Sequence, residues 1–425
     1  MRNIRAKYQY RAGSLVPASK GSNGVLLTLL IFSTCLASYK RTSFGSAPAD
    51  IPILIALALG LFANIKHPHY LIWTKTMRPV LLAIAFYALV CVLPALSGGN
   101  FYLLQTVKDL FSFLIFPATY LTLARITDRK VANRAVSLGL GLSIFLVAVT
   151  ALPSNGTRAD GIFGSPNLGG NWAALVIVFM AMTKKPNNPV LRYTAITLMI
   201  FASLKMASLG GILCLAGALA FWLPRKSSKI KFGKYSLPLF LLLGSSILLQ
   251  SFDALTGLDR FSRSSEGRLT IWGNAIASWF EKPLGVGIGN FSDGSLGLAS
   301  APEAHNDYIS SLVELGFLGP ISIVLICIAM GIYGGAMTRS IVLFYALSAI
   351  SHNSINFRHI WVFMAICLAY ETLPIFQSEG QIAPPTKSQR IKQLRRNRYS
   401  QGYMAGIPGS KVAQTGFDSP IRLNT

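Results

Sequence analysis

The chain has 425 residues, 52% of them hydrophobic and only 13% charged. Soluble domains carry about 25% charged residues, which excludes an ordinary soluble enzyme. The net charge of +24 sits mostly in short segments between apolar runs, the distribution of cytoplasmic loops. It does not form a nucleic-acid-binding face, and basic tails of this kind meet anionic lipid head groups.

The apolar runs are ~16–24 residues long, the length that crosses a bilayer as a helix; a β-barrel would show shorter alternating segments. The expected fold class is all-α and polytopic, with about 12 transmembrane helices. Residues 1–24 form a basic tail, and Gly24–Tyr39 is read as an uncleaved anchor, although Ala47-Pro48-Ala49 resembles a cleavage site. Further runs are expected at Ile51–Ile65, Pro79–Leu96, Phe101–Ala124, Ala135–Leu152, Leu168–Thr183, Val190–Leu204 and Ala207–Leu223. The last four lie at Ser236–Gln250, Tyr308–Met337, Ser340–His352 and Arg358–Phe376. The domains are thus a basic tail (1–24), a helical membrane domain (25–376) and a Pro-, Ser- and Gln-containing basic tail (377–425) of disordered composition. The five cysteines (Cys35, Cys91, Cys214, Cys327, Cys367) all fall in apolar runs, where cysteine serves as a small packing residue.

Placing both termini in the cytoplasm puts Lys66, Lys75 and Arg78, the cluster Arg125 to Arg134, Lys184, Lys185 and Arg192, and the cluster Arg225 to Lys234 inside, as the positive-inside rule requires. Lys40 and Arg41 are the exception. Two polar segments then face outward, 153–167 and the large loop 251–306, both within a motif-bearing region at about 150–330.

In the first outer segment, Arg158 stands where positive charge is disfavoured, and Asn167 is expected to cap the helix that follows. A helix N-terminus beside an arginine suits an anion. The second holds Arg260, Arg263 and Arg268, then Leu269–Phe280, whose Ile271, Trp272, Ala275, Ile276 and Trp279 recur at helical spacing. The glycine-rich turn Pro283–Gly289 lacks the strand and the Lys-Ser/Thr ending of a nucleotide loop. His305-Asn306-Asp307-Tyr308 opens the next span, with Asn306 or Asp307 as N-cap. Asp307, Ser310, Ser311 and Glu314 fall on one helix face. A buried acid such as Glu314 faces a cavity or a cation. Lys108-Asp109 reads as local charge neutralisation, while His352 and Arg358-His359, in the last outer turn, are candidates for the same site.

Arginines and a histidine at an outer face fit a lipid diphosphate: arginine grips phosphate through paired donors and stabilises a leaving diphosphate. A histidine can take a proton from an attacking hydroxyl. No Asp-x-Asp occurs in the chain, so metal-dependent use of a nucleotide sugar has no support, and neither metal nor cofactor is expected.

Glu266-Gly267-Arg268, Trp272, Pro283-x-Gly-x-Gly-x-Gly289-x-Phe291, His305-Asn306-x-Tyr308 and Glu314-x-Gly316-x-x-Gly319 resemble the O-antigen ligase/polymerase superfamily. So does Arg158-Ala-Asp-Gly161-x-Phe163-x-x-Pro166-Asn167. The resemblance implies a metal-independent, inverting glycosyltransferase with an undecaprenyl-diphosphate-linked glycan as donor and a lipid or cell-surface glycan as acceptor, working outside the inner membrane. By the same resemblance Arg158 and Arg268 bind the diphosphate and His305 activates or positions the acceptor hydroxyl. Arg260, Arg263, Asn167, Asn306, Tyr308 and Glu314 are the further substrate-binding candidates.

Relatives often carry Ser-Arg where this chain has Ser208-Leu209-Gly210, so that role is vacant or falls to Lys205. Polymerase-type relatives show Arg, ten residues, then Gly in two outer loops; Arg158 and Gly169 fit, whereas Ile271, Asn274 and Trp279 stand eleven residues after Arg260, Arg263 and Arg268. Ligase and polymerase therefore both stay open. A lipid-linked saccharide flippase is the rival of another class; it would spread its charges through a central cavity across many spans.

Overall fold

The computed structural model describes residues 22–36, 50–51, 53–55, 58–59, 77–96, 103–126, 128–152, 161–206, 208–226, 260–291, 304–352 and 354–376. Arg158, the expected span Ser236–Gln250 and the tail from Gln377 lie outside these residues. The side chains of Arg260 and Arg263 do so as well.

Among the described residues all regular structure is helical. The helices are α1 (Ser22–Ser33), α2 (Met77–Val90), α3 (Leu93–Leu96), α4 (Leu103–Ala124), α5 (Arg129–Ala151), α6 (Pro166–Thr183) and α7 (Pro189–Met206). They continue with α8 (Leu209–Lys226), α9 (Arg260–Glu281), α10 (Asp307–Leu315), α11 (Leu318–Ile332), α12 (Ala336–Ser351) and α13 (Arg358–Thr372).

Among the described residues, three segments are long and apolar enough to cross a membrane: Met77–Leu96 with 20 residues, Leu103–Ala124 with 22 and Arg129–Ala151 with 23. At about 1.5 Å per residue each reaches across a hydrocarbon core of about 30 Å. Their outward side chains are apolar too. Leu82 and Leu89 of α2 and Leu138 and Phe145 of α5 are exposed, while Val80, Ile84 and Tyr87 face inward. A helix apolar on both faces has lipid on one of them, and the protein is an integral membrane protein.

Helix α6 lies at the centre. Every residue from Leu168 to Met180 is buried, and the Trp172 indole donates to Thr34 Oγ1 at 3.0 Å. It packs against α7, α8, α12 and α13, while α1 lies on α5, α4 on α13 and α2 on α11. Small residues set the close approaches, as is usual between membrane helices: a Cβ added at Gly139 of α5 would meet Ile31 Cβ of α1 at 2.8 Å.

Helix starts follow local chemistry. Asp128 caps α5 by accepting from Lys130 N at 2.7 Å, and Asn188 Oδ1 accepts from Val190 N at 2.9 Å ahead of α7. At α6 the expected cap is displaced. Proline at the first helical position fixes the start, so Ser165 occupies the N-cap and Asn167 lies within the first turn.

The run Tyr308–Met337 is not one helix. It ends at Leu315 and resumes at Leu318, because Gly316 adopts a positive φ of 69°. Hydropathy does not register that break, since Leu315, Phe317 and Leu318 keep the chain apolar across it.

Candidate active site

The site begins on α9. Arg268 and Trp272 are four residues apart and share a face. The Trp272 indole donates to the carbonyl of Ala304 at 2.9 Å, and Ala275, Val286, Phe291, Ala304 and Val313 form a small apolar cluster around this join. Arg268 is half-buried, and burial draws its guanidinium below its ordinary value; arginine nevertheless stays charged. Trp279, two turns further along α9 than Trp272, donates to Pro283 O at 3.2 Å.

His305 follows Ala304 with φ 50°, a conformation costly for a residue with a Cβ. It is exposed and stands at the start of α10. Asn306 is the N-cap, as expected, its side-chain oxygen accepting from Tyr308 N at 2.9 Å and Ile309 N at 3.1 Å. Asn306 is thus buried and spent on the backbone, which holds His305 at the helix mouth.

The glycine-rich turn docks on the other end of α10 through its main chain. Val286 N donates to Val313 O at 3.0 Å and Gly287 N to Glu314 O at 2.9 Å, while Phe291 N donates to Glu314 Oε1 at 3.3 Å. Two of the glycines are required. Gly285 has φ 90°, and a Cβ there would lie 2.5 Å from Glu314 O; a Cβ on Gly316 would overlap Pro283 O.

Between these elements lies a cavity of about 620 Å³. The α10 face read from the sequence lines it: Asp307, Ser310, Ser311 and Glu314 all contribute, with His305 at the mouth. Asn167 and Phe163 enter from the start of α6, Phe291 from the glycine turn, and His352, Asn356 and Phe357 from the α12–α13 connection. Tyr87, Gln105 and Asp109 complete the wall from α2 and α4.

The carboxylates are held in place. Asp307 is 3% exposed, and its Oδ2 accepts from Ser354 N at 2.9 Å and Ile355 N at 3.1 Å, tying α10 to the turn before α13. Asp109 Oδ2 accepts from the Tyr87 hydroxyl at 2.9 Å and Oδ1 from Gln105 Nε2 at 3.3 Å. Asp109, expected to neutralise Lys108, also takes a place in the cavity wall.

Other candidates fall elsewhere. Arg268 and Tyr308 do not line the cavity; the Tyr308 hydroxyl donates to Ala346 O at 3.4 Å. Arg358 pairs with Asp50 at 2.6 Å, and His359 Nε2 lies 3.0 Å from Asn171 Oδ1 within a buried network that runs through Ser348 to Ser354. Of the group His352, Arg358 and His359, only His352 reaches the cavity. Lys205 is exposed and does not line it. Tyr87, Gln105 and Asn356 carried no signal in the sequence, because helix packing alone brings them here.

Carboxylates, amides and hydroxyls interleaved with Phe163, Phe291 and Phe357 suit a polyhydroxylated ligand, whose hydroxyls they accept and whose apolar ring faces they cover. The family model described as O-antigen ligase matches residues 143–324, a stretch that runs from α5 into α11 and supplies most of the cavity wall. No curated protein matches the chain. Over residues 143–324 this membrane protein is O-antigen ligase-like, and its function is broadly of the O-antigen ligase or polymerase type.

Proposed function

We propose that the protein transfers a glycan from undecaprenyl diphosphate to a hydroxyl of a lipid or cell-surface glycan, at the extracytoplasmic face of the bacterial plasma membrane. The observation that carries this reading is the cavity itself. It sets His305 at the entry of a saccharide-like wall, within the segment that matches the O-antigen ligase family.

In this mechanism the acceptor oxygen bonds to the anomeric carbon from the face opposite the phosphate, the bond from that carbon to the phosphate oxygen breaks, and the diphosphate departs with the electron pair. Inversion follows from that single displacement. His305 positions the acceptor hydroxyl or takes its proton. Arg158 and Arg268, assisted by Arg260 and Arg263, neutralise the diphosphate without a metal. Asn167 and Glu314 hold sugar hydroxyls from the wall. Asn306 and Tyr308 shape the helix mouth from behind.

The polymerase version differs only in its acceptor, a second lipid-linked repeat unit; the fit of Arg158 and Gly169 to the polymerase spacing is what favours it. One assay covers both. Purified protein is incubated with a lipid-diphosphate glycan, chelator and either acceptor, and His305→Ala and Arg268→Ala are compared with wild type. Transfer with chelator present, lost in both variants, is expected. Unaltered product in both would sink the site, a need for added divalent metal would sink the mechanism, and vesicle translocation without transfer would favour a flippase.

A further inference from the structure

His352 closes α12 as its C-cap, with its N–H bonded to Ser348 O at 2.9 Å. Its ring is 6% exposed and lines the cavity. Nδ1 lies 2.8 Å from Ser351 Oγ, which fixes the ring's rotation, and the Phe357 ring sits 6.0 Å away. The ring rests on Gly210, in the first turn of α8. A Cβ there would overlap His352 Cε1 and lie 3.0 Å from Nδ1. Only glycine leaves this seat open.

The seat lies at an electropositive end of the site. Ser208 caps α8, accepting from Gly211 N at 3.3 Å, and its hydroxyl reaches Asn167 O in the first turn of α6 at 3.4 Å. Two long helices therefore start beside His352, and helix starts favour anions. The remaining acidic wall, with Asp109, Asp307 and Glu314, repels phosphate and suits sugar hydroxyls. Among the described lining residues, the side chains able to carry positive charge are His305 and His352.

We propose that His352 binds the diphosphate of the donor from the α6–α8 end of the cavity, with Gly210 as its seat. This rests on the transfer reading above but has its own readout, equilibrium binding of undecaprenyl diphosphate to the full chain in nanodiscs.

His352→Ala is expected to weaken binding about tenfold and to raise the donor KM more than it lowers kcat, the loss of one charge-assisted hydrogen bond. His352→Gln, which keeps an N–H donor, loses less. Gly210→Ala reproduces the loss by pushing the ring away, and the double variant Gly210→Ala/His352→Ala is no worse than His352→Ala, because the two act through one contact. Binding by His352→Ala within about twofold of wild type, or losses that multiply in the double variant, overturns the proposal. If Gly210→Ala does not fold, the His352 pair decides alone. Wild type that binds undecaprenyl diphosphate yet transfers to no acceptor sinks the transfer reading and leaves His352 standing; wild type that does not bind it sinks both.

Discussion

Trp272 and Ala304 are joined by one hydrogen bond, indole Nε1 to carbonyl oxygen at 2.9 Å. The bond links the helix that carries Arg268 to the residue just before His305, so one contact couples the backbone positions of the two proposed chemical groups. Trp272→Phe keeps the packing and removes the bond. Its turnover is expected to fall about fivefold to twentyfold, with the melting temperature lowered by only a few degrees, as befits one hydrogen bond of about 1 kcal/mol. Turnover and thermal unfolding of the same preparation check this.

His305 separates activity from stability. Its φ of 50° disfavours any side chain by about 1–2 kcal/mol. His305→Gly is therefore expected to raise stability by about 1 kcal/mol while transfer falls about 10²- to 10⁴-fold, the usual loss of a general acid or base. A variant that loses both would show that the ring holds the fold rather than the substrate.

Asp307 is expected to tolerate asparagine and to reject alanine. Its Oδ2 accepts two buried backbone N–H groups, and an amide oxygen can replace that acceptor. Asp307→Ala leaves both N–H groups unmet, at about 1–3 kcal/mol each. Denaturation or thermal melting in detergent should rank wild type, Asn and Ala in that order.

The glycines of this region divide sharply. Gly285→Ala or Gly316→Ala sets a Cβ against backbone atoms at a positive φ, and each should cost about 2 kcal/mol or more. Gly267 and Gly273 of α9 have open space around them, so alanine there is expected to be neutral or to stabilise by about 0.5–1 kcal/mol. Melting temperatures of the four variants test the division.

Much of this was legible where the physics is local. The repeat Ile271, Trp272, Ala275 marks α9, Asn306 is one of the two residues expected to cap α10, and the spacing of Asp307, Ser310, Ser311 and Glu314 gives the cavity-facing side of α10. The rest is decided by one backbone angle or one distant neighbour, which no local pattern encodes. Gly316 splits the run between residues that are apolar on both sides of the break, and Pro166 moves the α6 start so that Ser165 takes the cap position. Asp109 joins the cavity only because α4 and α10 are brought to the same space, which no pattern within α4 encodes. His352 looked equivalent to Arg358 and His359; contacts with Gly210, Asp50 and Asn171, all distant in sequence, separate the three.

Glu314 O and Val313 O take their partners from the main chain of the glycine turn. Apart from the Glu314 carboxylate, which accepts from Phe291 N, the attachment specifies no side chain beyond the glycines that permit it. Neighbouring wall positions such as Gln105 and Ser310 can be exchanged while the clamp persists, which lets the lining of the cavity change without rebuilding the scaffold. Insertion of a single residue between Gly285 and Gly289 would instead shift the whole register, and the enzyme should be far less forgiving of length than of composition there.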